Sequence, residues 1–239
     1  IRVVTSLTGG GFGGKDELTV QPALALLALK AKRSVRLQLS RAESVAAGWK
    51  RNPMRIRMRT GCDAEGRLLA HEVDLLAECG AYASLSPGVL ETALEHASGP
   101  YAIPHVRSTG RLAYTNNGVC GAFRGFGANQ MTYAVECQLG RLAAMAGLDP
   151  IAMRRVNLRE PGTPGPIGQA VAPSERLIEM LDGAAASPIW RQPRGVVGDT
   201  VVGVGLALNH QGNGLGSFFP DPGGCRLTLT PAGRIEAAF

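Results

Sequence analysis

Residues 9–14 have the sequence GGGFGG, and this run constrains the fold of the chain more than any other stretch. Glycine loses more conformational freedom on folding than any other residue, so five glycines around one phenylalanine indicate a main chain that approaches something closely. Residues 1–7 predict a strand before the run, and residues 18–32 predict a helix after it. A strand, a glycine turn and a helix start together present unpaired N–H groups, which favour an anionic or polar cofactor.

Two nucleotide-binding motifs overlap the glycine run. Gly9-x-Gly11-x-x-Gly14 matches the dinucleotide fingerprint, and a second predicted strand follows at residues 34–40. No acidic residue ends that strand to hold a ribose, but the dinucleotide alternative stays open. A phosphate loop needs Ser or Thr after Lys15 to supply a hydroxyl to magnesium, whereas Asp16 stands there and would repel a triphosphate. The phosphate loop is therefore rejected.

Composition and charge argue against several classes of partner and binding site. The net charge of +6 is spread along the 239 residues with no recognisable nucleic-acid module, so no nucleic-acid partner is predicted. No apolar run is long enough for a bilayer, so no membrane association is predicted. The five cysteines form no CxxC pair, which argues against iron–sulfur or zinc sites in this chain, and their odd number indicates a reducing cytoplasm. A start on Ile1 and an end within a predicted strand indicate a piece of a larger polypeptide.

Beyond residue 40, strands alternate with single helices, which predicts an α+β fold of two-layer α/β sandwiches with mixed sheets. Ser40 and Glu43 predict a capping box. Strands are predicted at residues 55–59, 68–80 and 105–116, and a second sheet at 201–209, 225–230 and 234–239. Helices are predicted at 87–97, 130–146, from 150 and at 174–182, with 188–198 as a loop. The apolar stripe of the 130–146 helix comprises Val135, Leu139, Leu142 and Met145.

Three segments follow from this pattern. Residues 1–160 form a first α+β domain, residues 161–198 form a linker that is rich in proline and glycine at 162–168, and residues 199–239 begin a second, truncated domain.

A second glycine–aromatic loop has the same design as the first. Residues 121–127 read GAFRGFG, so Gly125-Phe126-Gly127 repeats the pattern of residues 11–13. Each loop is predicted to leave a strand and enter a helix. Either both are tight turns whose phenylalanines fill the core, or two helix starts converge on one planar, polar ligand with an aromatic ring stacked on it.

Together the two loops resemble the molybdenum-binding portion of the xanthine dehydrogenase/aldehyde oxidase family. Tyr101-x-Ile103-Pro104 and residues 109–112 (TGRL) stand at matching places between them, and the resemblance runs from residue 1 to about residue 158. It implies a catalytic subunit that hydroxylates a purine, an N-heterocycle or an aldehyde with water-derived oxygen. Molybdopterin is the implied cofactor. The resemblance also implies 2Fe-2S and FAD in other domains or subunits, and a dimeric full enzyme.

The resemblance also assigns residues. The implied cofactor contacts lie in the two loops, and they are Gly11, Phe12, Gly13, Phe123 and Arg124. The implied substrate contacts are Asp16, Thr92 and Phe126. Asp16 stands where xanthine-oxidising members carry a glutamate, although it is equally interpretable as a first-turn acid that favours the helix dipole. Thr92 stands where they carry an arginine, which disfavours xanthine itself because a fixed cation is lost.

Other parts of the implied site lie outside these residues. A glutamine-bearing cofactor segment is expected before residue 1, and a catalytic glutamate is expected beyond residue 239. A second stacking phenylalanine is expected near residues 212–219, where Leu215 takes the counted position and Phe218 could substitute. No metal ligand is predicted, and the piece alone is expected to be inactive. The alternatives are an NAD(P)-binding oxidoreductase domain and a non-catalytic scaffold domain.

Overall fold

The computed structural model of the chain describes residues 4, 6–165, 167–168, 176–212 and 223–238. The helices among them are α1 (Gln21–Ala31), α2 (Arg41–Ala47), α3 (Ser86–Glu95), α4 (Ala128–Ala146), α5 (Pro150–Arg155) and α6 (Leu177–Ala186). The strands are β1 (Met54–Cys62), β2 (Leu68–Gly80), β3 (His105–Tyr114), β4 (Gly195–Val197), β5 (Thr200–Val202), β6 (Arg226–Leu229) and β7 (Ile235–Ala238).

The main sheet has three strands with β2 at its centre. β1 pairs antiparallel with β2, and β3 pairs parallel with it, so the sheet is mixed. Parallel neighbours need a crossover connection, and α3 lies between β2 and β3 in the chain. Alternate residues of β2, including Val73, Leu75 and Ala77, are fully buried. α3 packs against β2 and β3, and α4 packs against β1 and α3, so the predicted α+β class is confirmed.

The buried stripe of α4 is shifted from the predicted one. Met131, Val135, Leu139 and Leu142 are buried and belong to the core, whereas Met145 is 84% exposed. The prediction of Met145 as a core residue is therefore wrong. Met145 lies in the last turn of α4, which ends at Ala146, and the apolar stripe starts one turn earlier than the sequence suggested.

Two predicted strands at the start of the chain are absent from the described residues. Residues 4, 6 and 7 are not in a strand, and residues 1–3 and 5 lie outside the described part. Residues 34–40 pair with no strand in the described part of the chain, since their alternating pattern meets no neighbour. The capping box is confirmed, because the Ser40 side chain accepts from the Glu43 N–H at 3.2 Å and the Ser40 N–H donates to the Glu43 carboxylate at 2.7 Å.

The predicted second sheet is only partly found in the described residues. The predicted strands at 225–230 and 234–239 are confirmed as β6 and β7, but the 201–209 region does not join them in one sheet. β4 pairs with β5 and β6 pairs with β7, which gives two separate hairpins. The predicted strand at 201–209 is restricted to β5, and β4 lies within the predicted 188–198 loop. Leu208 is buried in the core of the main sheet and Leu206 packs against it, and residues 203–209 form no strand.

A buried polar cluster holds residues 206–208 in place. Glu136 of α4 accepts from Arg154 Nε at 2.9 Å and from the Leu208 N–H at 2.9 Å, and Arg154 Nη2 donates to the Leu206 carbonyl at 3.0 Å. The Tyr101 hydroxyl donates to the same carboxylate. Burial, and then the charge of Glu136, raise the pKa of Tyr101 well above its ordinary value. The carboxylate thus ties α4, α5 and residues 206–208 together.

Candidate functional site

The two glycine–aromatic loops lie against each other, backbone to backbone. The Arg124 N–H donates to the Phe12 carbonyl at 3.0 Å. A Cβ built on Gly13 would lie 2.2 Å from the Ala122 carbonyl oxygen and 2.7 Å from the Phe123 nitrogen, so only glycine fits there. The sequence-predicted cofactor residues Phe12, Gly13, Phe123 and Arg124 are therefore brought to one place.

Both loops also share a strained backbone. Phe12 has φ of 52° and Phe126 has φ of 44°, a left-handed conformation that is rare for bulky residues. Each is followed by a glycine with positive φ, 91° at Gly13 and 97° at Gly127. Such strain costs about 1–3 kcal/mol per residue and is found preferentially at binding sites. The repeated Phe-Gly pattern in the sequence thus corresponds to a repeated local geometry.

Arginine side chains cover the aromatic rings of the two loops. The Arg124 guanidinium lies 5.1 Å from the ring centre of Phe12, and Arg51 lies 4.5 Å from that of Phe123. Arg51 also donates to the Arg124 carbonyl at 2.8 Å and to Asn129 Oδ1 at 2.9 Å. Sequence reasoning missed Arg51, because it stands outside both loops and nothing in its local pattern distinguishes it from other basic residues.

Only the second loop leads directly into a helix. α4 begins at Ala128 with Gly127 as its N-cap, whereas residues 12–20 form turns and bends and α1 begins at Gln21. The prediction of two converging helix starts is wrong, and Asp16 is not a first-turn acid. A proline at the start of α1 sets where that helix begins. The dinucleotide geometry, with the glycine turn directly between a strand and a helix, is likewise not found in the described residues.

Unpaired main-chain donors line the contact between the loops. Within the described part of the chain, the N–H groups of Phe12, Gly13 and Phe123 donate to no acceptor. Donors of this kind, next to aromatic rings and two guanidinium groups, suit a planar ligand that carries oxygen acceptors and negative charge. The site therefore fits a polar, anionic cofactor better than an apolar one.

Two of the three predicted substrate residues lie in neighbouring elements of the structure. Phe126 is half-buried, and its neighbour Gly127 lies against α3, where a Cβ would be 2.2 Å from the Val89 carbonyl oxygen. Thr92 is on the same helix, 1% exposed, and its hydroxyl has no partner among the described residues. The structure thus places the helix of Thr92 beside the loop of Phe126.

Asp16, the third predicted substrate residue, is exposed. The neighbouring Glu17 carboxylate accepts from the Ser84 hydroxyl, just before α3. Leu215 and Phe218 lie outside the described residues. The described residues include no group of three or more acidic, histidine or cysteine side chains that could hold a metal ion. Nor do they include a helix with the length and apolar character needed to span a bilayer.

Known proteins match more than half of the chain. A family model described as the molybdopterin cofactor-binding domain matches residues 1–158. The chain is 48% identical over all 239 residues to a probable xanthine dehydrogenase component of Bacillus subtilis (strain 168), of which it covers 32%. It is 42% identical over 184 residues, 77% of the chain, to the nicotinate dehydrogenase large molybdopterin subunit of Eubacterium barkeri, of which it covers 43%.

A solved structure is similar in fold. The aldehyde oxidoreductase from Desulfovibrio gigas superposes with a TM-score of 0.70 at 30% sequence identity, over 77% of this chain and 20% of that protein. The chain therefore spans less than half the length of each of these relatives.

Proposed function

Because this chain belongs to the family of molybdopterin cofactor-binding domains, we propose that it is part of the catalytic subunit of a molybdenum hydroxylase. The two loops hold the cofactor, with Gly11, Phe12 and Gly13 on one side and Phe123 and Arg124 on the other. The observation that carries this proposal is the 3.0 Å hydrogen bond from the Arg124 N–H to the Phe12 carbonyl, which joins the loops.

The residues present fit molybdopterin. The unpaired N–H groups of Phe12, Gly13 and Phe123 can donate to the oxygens and ring nitrogens of a pterin, and the Arg124 guanidinium can pair with its phosphate. When bound, the cofactor supplies a molybdenum centre for the hydroxylation of an electron-poor carbon by water-derived oxygen. The role of the protein here is to orient the pterin and to stabilise its charge.

The substrate side is formed by Phe126 and Thr92, with Asp16 as a further contact. Phe126 offers an aromatic face for a planar ring. The buried Thr92 hydroxyl, which has no partner among the described residues, offers a neutral hydrogen bond and no fixed cation. A purine, an N-heterocycle or an aldehyde suits this pair, and two relatives are named for xanthine and nicotinate.

The complete enzyme has further parts. We assign residues 1–160 to a first molybdopterin-binding domain, residues 161–198 to a linker and residues 199–239 to the start of a second domain. The general base is a glutamate outside this chain, so residues 1–239 alone are inactive. Iron–sulfur and flavin domains or subunits accept the electrons, and the whole enzyme is a cytoplasmic dimer.

Expression of the full-length subunit with its partner subunits tests the proposal. The purified enzyme should contain molybdenum by elemental analysis and should hydroxylate at least one of xanthine, nicotinate and an aromatic aldehyde with an artificial electron acceptor. An enzyme that contains no molybdenum, made in cells that supply the cofactor to a known molybdenum hydroxylase, would contradict it.

Further measurements separate the alternatives. Tight binding of NADPH by this chain would support the dinucleotide-binding alternative. Full activity of both the Phe126→Ala and the Asp16→Ala variants of the full-length enzyme would support the scaffold alternative, since substrate contacts cannot be removed from a working site without loss.

A further inference from the structure

α3 and the residues that flank it contact three other segments of the chain. Just before its N-terminus, Ser84 donates to Glu17, next to the first loop. In its middle, the Val89 carbonyl lies against Gly127 of the second loop. At its C-terminal end, the His96 side chain reaches Gly212. The segment from Ser84 to His96, which contains α3, therefore contacts the chain next to the first loop, the second loop itself and residue 212.

His96 is 2% exposed and uses both ring nitrogens. Nδ1 lies 2.7 Å from the Thr92 carbonyl oxygen, which can only accept, so Nδ1 carries the hydrogen. Nε2 is then an acceptor, and it receives the Gly212 N–H at 2.9 Å. The imidazole is thus neutral, in the Nδ1–H tautomer, and fully hydrogen-bonded within the protein.

The same ring fixes two distant points of the chain. Its Nδ1 donates to the carbonyl of Thr92, the residue that the proposed function places on the substrate side. Its Nε2 holds the backbone of Gly212, 116 residues away from His96 in sequence. The His210 ring, 5.8 Å from that of His96, packs beside this link.

We propose that His96 is a positioning residue that sets the chain at Gly212 relative to Thr92, and thereby the shape of the substrate side. The proposal rests on the proposed function, because it assumes that Thr92 faces the substrate. His96 itself touches no substrate, cofactor or reacting atom. Its effect on the reaction passes through the hydrogen bond to the Gly212 N–H.

Variants of the full-length enzyme test this link. In His96→Gln the amide oxygen can reach the position of Nε2 and accept from Gly212, whereas in His96→Asn the side chain reaches only the position of Nδ1. His105, an exposed histidine, supplies the matched control His105→Gln. Since small displacements of positioning groups cost up to about 100-fold, we expect His96→Asn to lower kcat/KM roughly 10- to 100-fold, mainly through KM, with unchanged molybdenum content. His96→Gln should recover most of this loss.

A second variant keeps the test decisive if His96→Asn does not fold. Gly212→Pro removes the N–H donor and leaves the imidazole in place, and we expect the same loss of kcat/KM. In the double variant the two losses should not add, because both remove one hydrogen bond. Unchanged kinetics in His96→Asn, no recovery in His96→Gln, or additive losses would each overturn the proposal.

Amide hydrogen exchange distinguishes failure of this inference from failure of the proposed function. The peptide that covers residues 206–212 should exchange faster in His96→Asn than in wild type, whether or not the enzyme contains molybdenum. Equal exchange overturns the link through His96. Faster exchange in an enzyme without molybdenum supports the link and contradicts only the assigned function of the site.

Discussion

Replacement of Gly13 by alanine should separate the two loops. The new Cβ would lie 2.2 Å from the Ala122 carbonyl oxygen, and real Cβ contacts essentially never fall below 3.0 Å. The loops must therefore move apart by about 0.8 Å, because the obstacle is backbone and cannot rotate away. A shift of that size along the line of the Arg124 N–H to Phe12 carbonyl bond would lengthen it from 3.0 Å to beyond hydrogen-bonding distance.

The magnitude follows from two contributions. A non-glycine residue with φ near 91° costs about 1–3 kcal/mol, and a lost hydrogen bond costs about 0.5–1.5 kcal/mol. The total of about 1.5–4.5 kcal/mol corresponds to roughly 10- to 2,000-fold weaker retention of a ligand that needs both loops. The measurement is molybdenum per subunit, and its rate of loss on dilution, in the full-length enzyme.

Gly9→Ala is the matched control. Gly9 belongs to the same glycine run, has no atom within 4 Å of a built Cβ and has no left-handed φ. We expect Gly9→Ala to keep the molybdenum content of wild type. Wild-type molybdenum content and release rate in Gly13→Ala would refute the inference that the loop contact forms the cofactor site.

Further predictions concern Arg51 and the buried polar cluster. Arg51→Gln should lower molybdenum content by elemental analysis, because it removes the cation over the Phe123 ring and the hydrogen bond to the second loop. Arg154→Met should destabilise the protein by about 3–5 kcal/mol in urea unfolding, because the buried Glu136 carboxylate would lose its counter-ion. The raised pKa of Tyr101 stabilises the fold fully below about pH 10, and this contribution is lost at higher pH, where only the unfolded phenol ionises. Tyr101→Phe should therefore flatten the alkaline decline of the unfolding midpoint, and an unchanged slope would contradict this.

Local patterns predicted the parts of the fold that local physics determines. The Ser40–Glu43 capping box depends on residues three apart, and the helical period of α4 identified Val135, Leu139 and Leu142 correctly. The alternation of residues 34–40 was equally clear, but a strand also needs a neighbour, which no local pattern supplies. The limits of Thr200–Val202 were missed for the same reason.

The sequence pattern identified the two loops of the candidate site but not the residues outside them. The repeated Gly-Phe-Gly pattern marked both of them, and the structure brings Phe12 and Arg124 together. Arg51 could not be found, because its role arises from a tertiary contact with the second loop. The hydrogen bond from Ser84 to Glu17 is likewise a tertiary contact, and no local pattern places these two residues together.

The contact between Phe12 and Arg124 has a consequence for biosynthesis. The two residues are more than one hundred positions apart, and the main sheet, α3 and the start of α4 come between or beside them in the chain. Contacts of such long sequence separation form late in folding, after nearer ones have reduced the loop-closure entropy. A nascent polypeptide therefore offers no place for the pterin until Arg124, just past the middle of the 239 residues, has left the ribosome. Insertion of the prosthetic group is then a maturation step that follows folding and cannot guide its early stages.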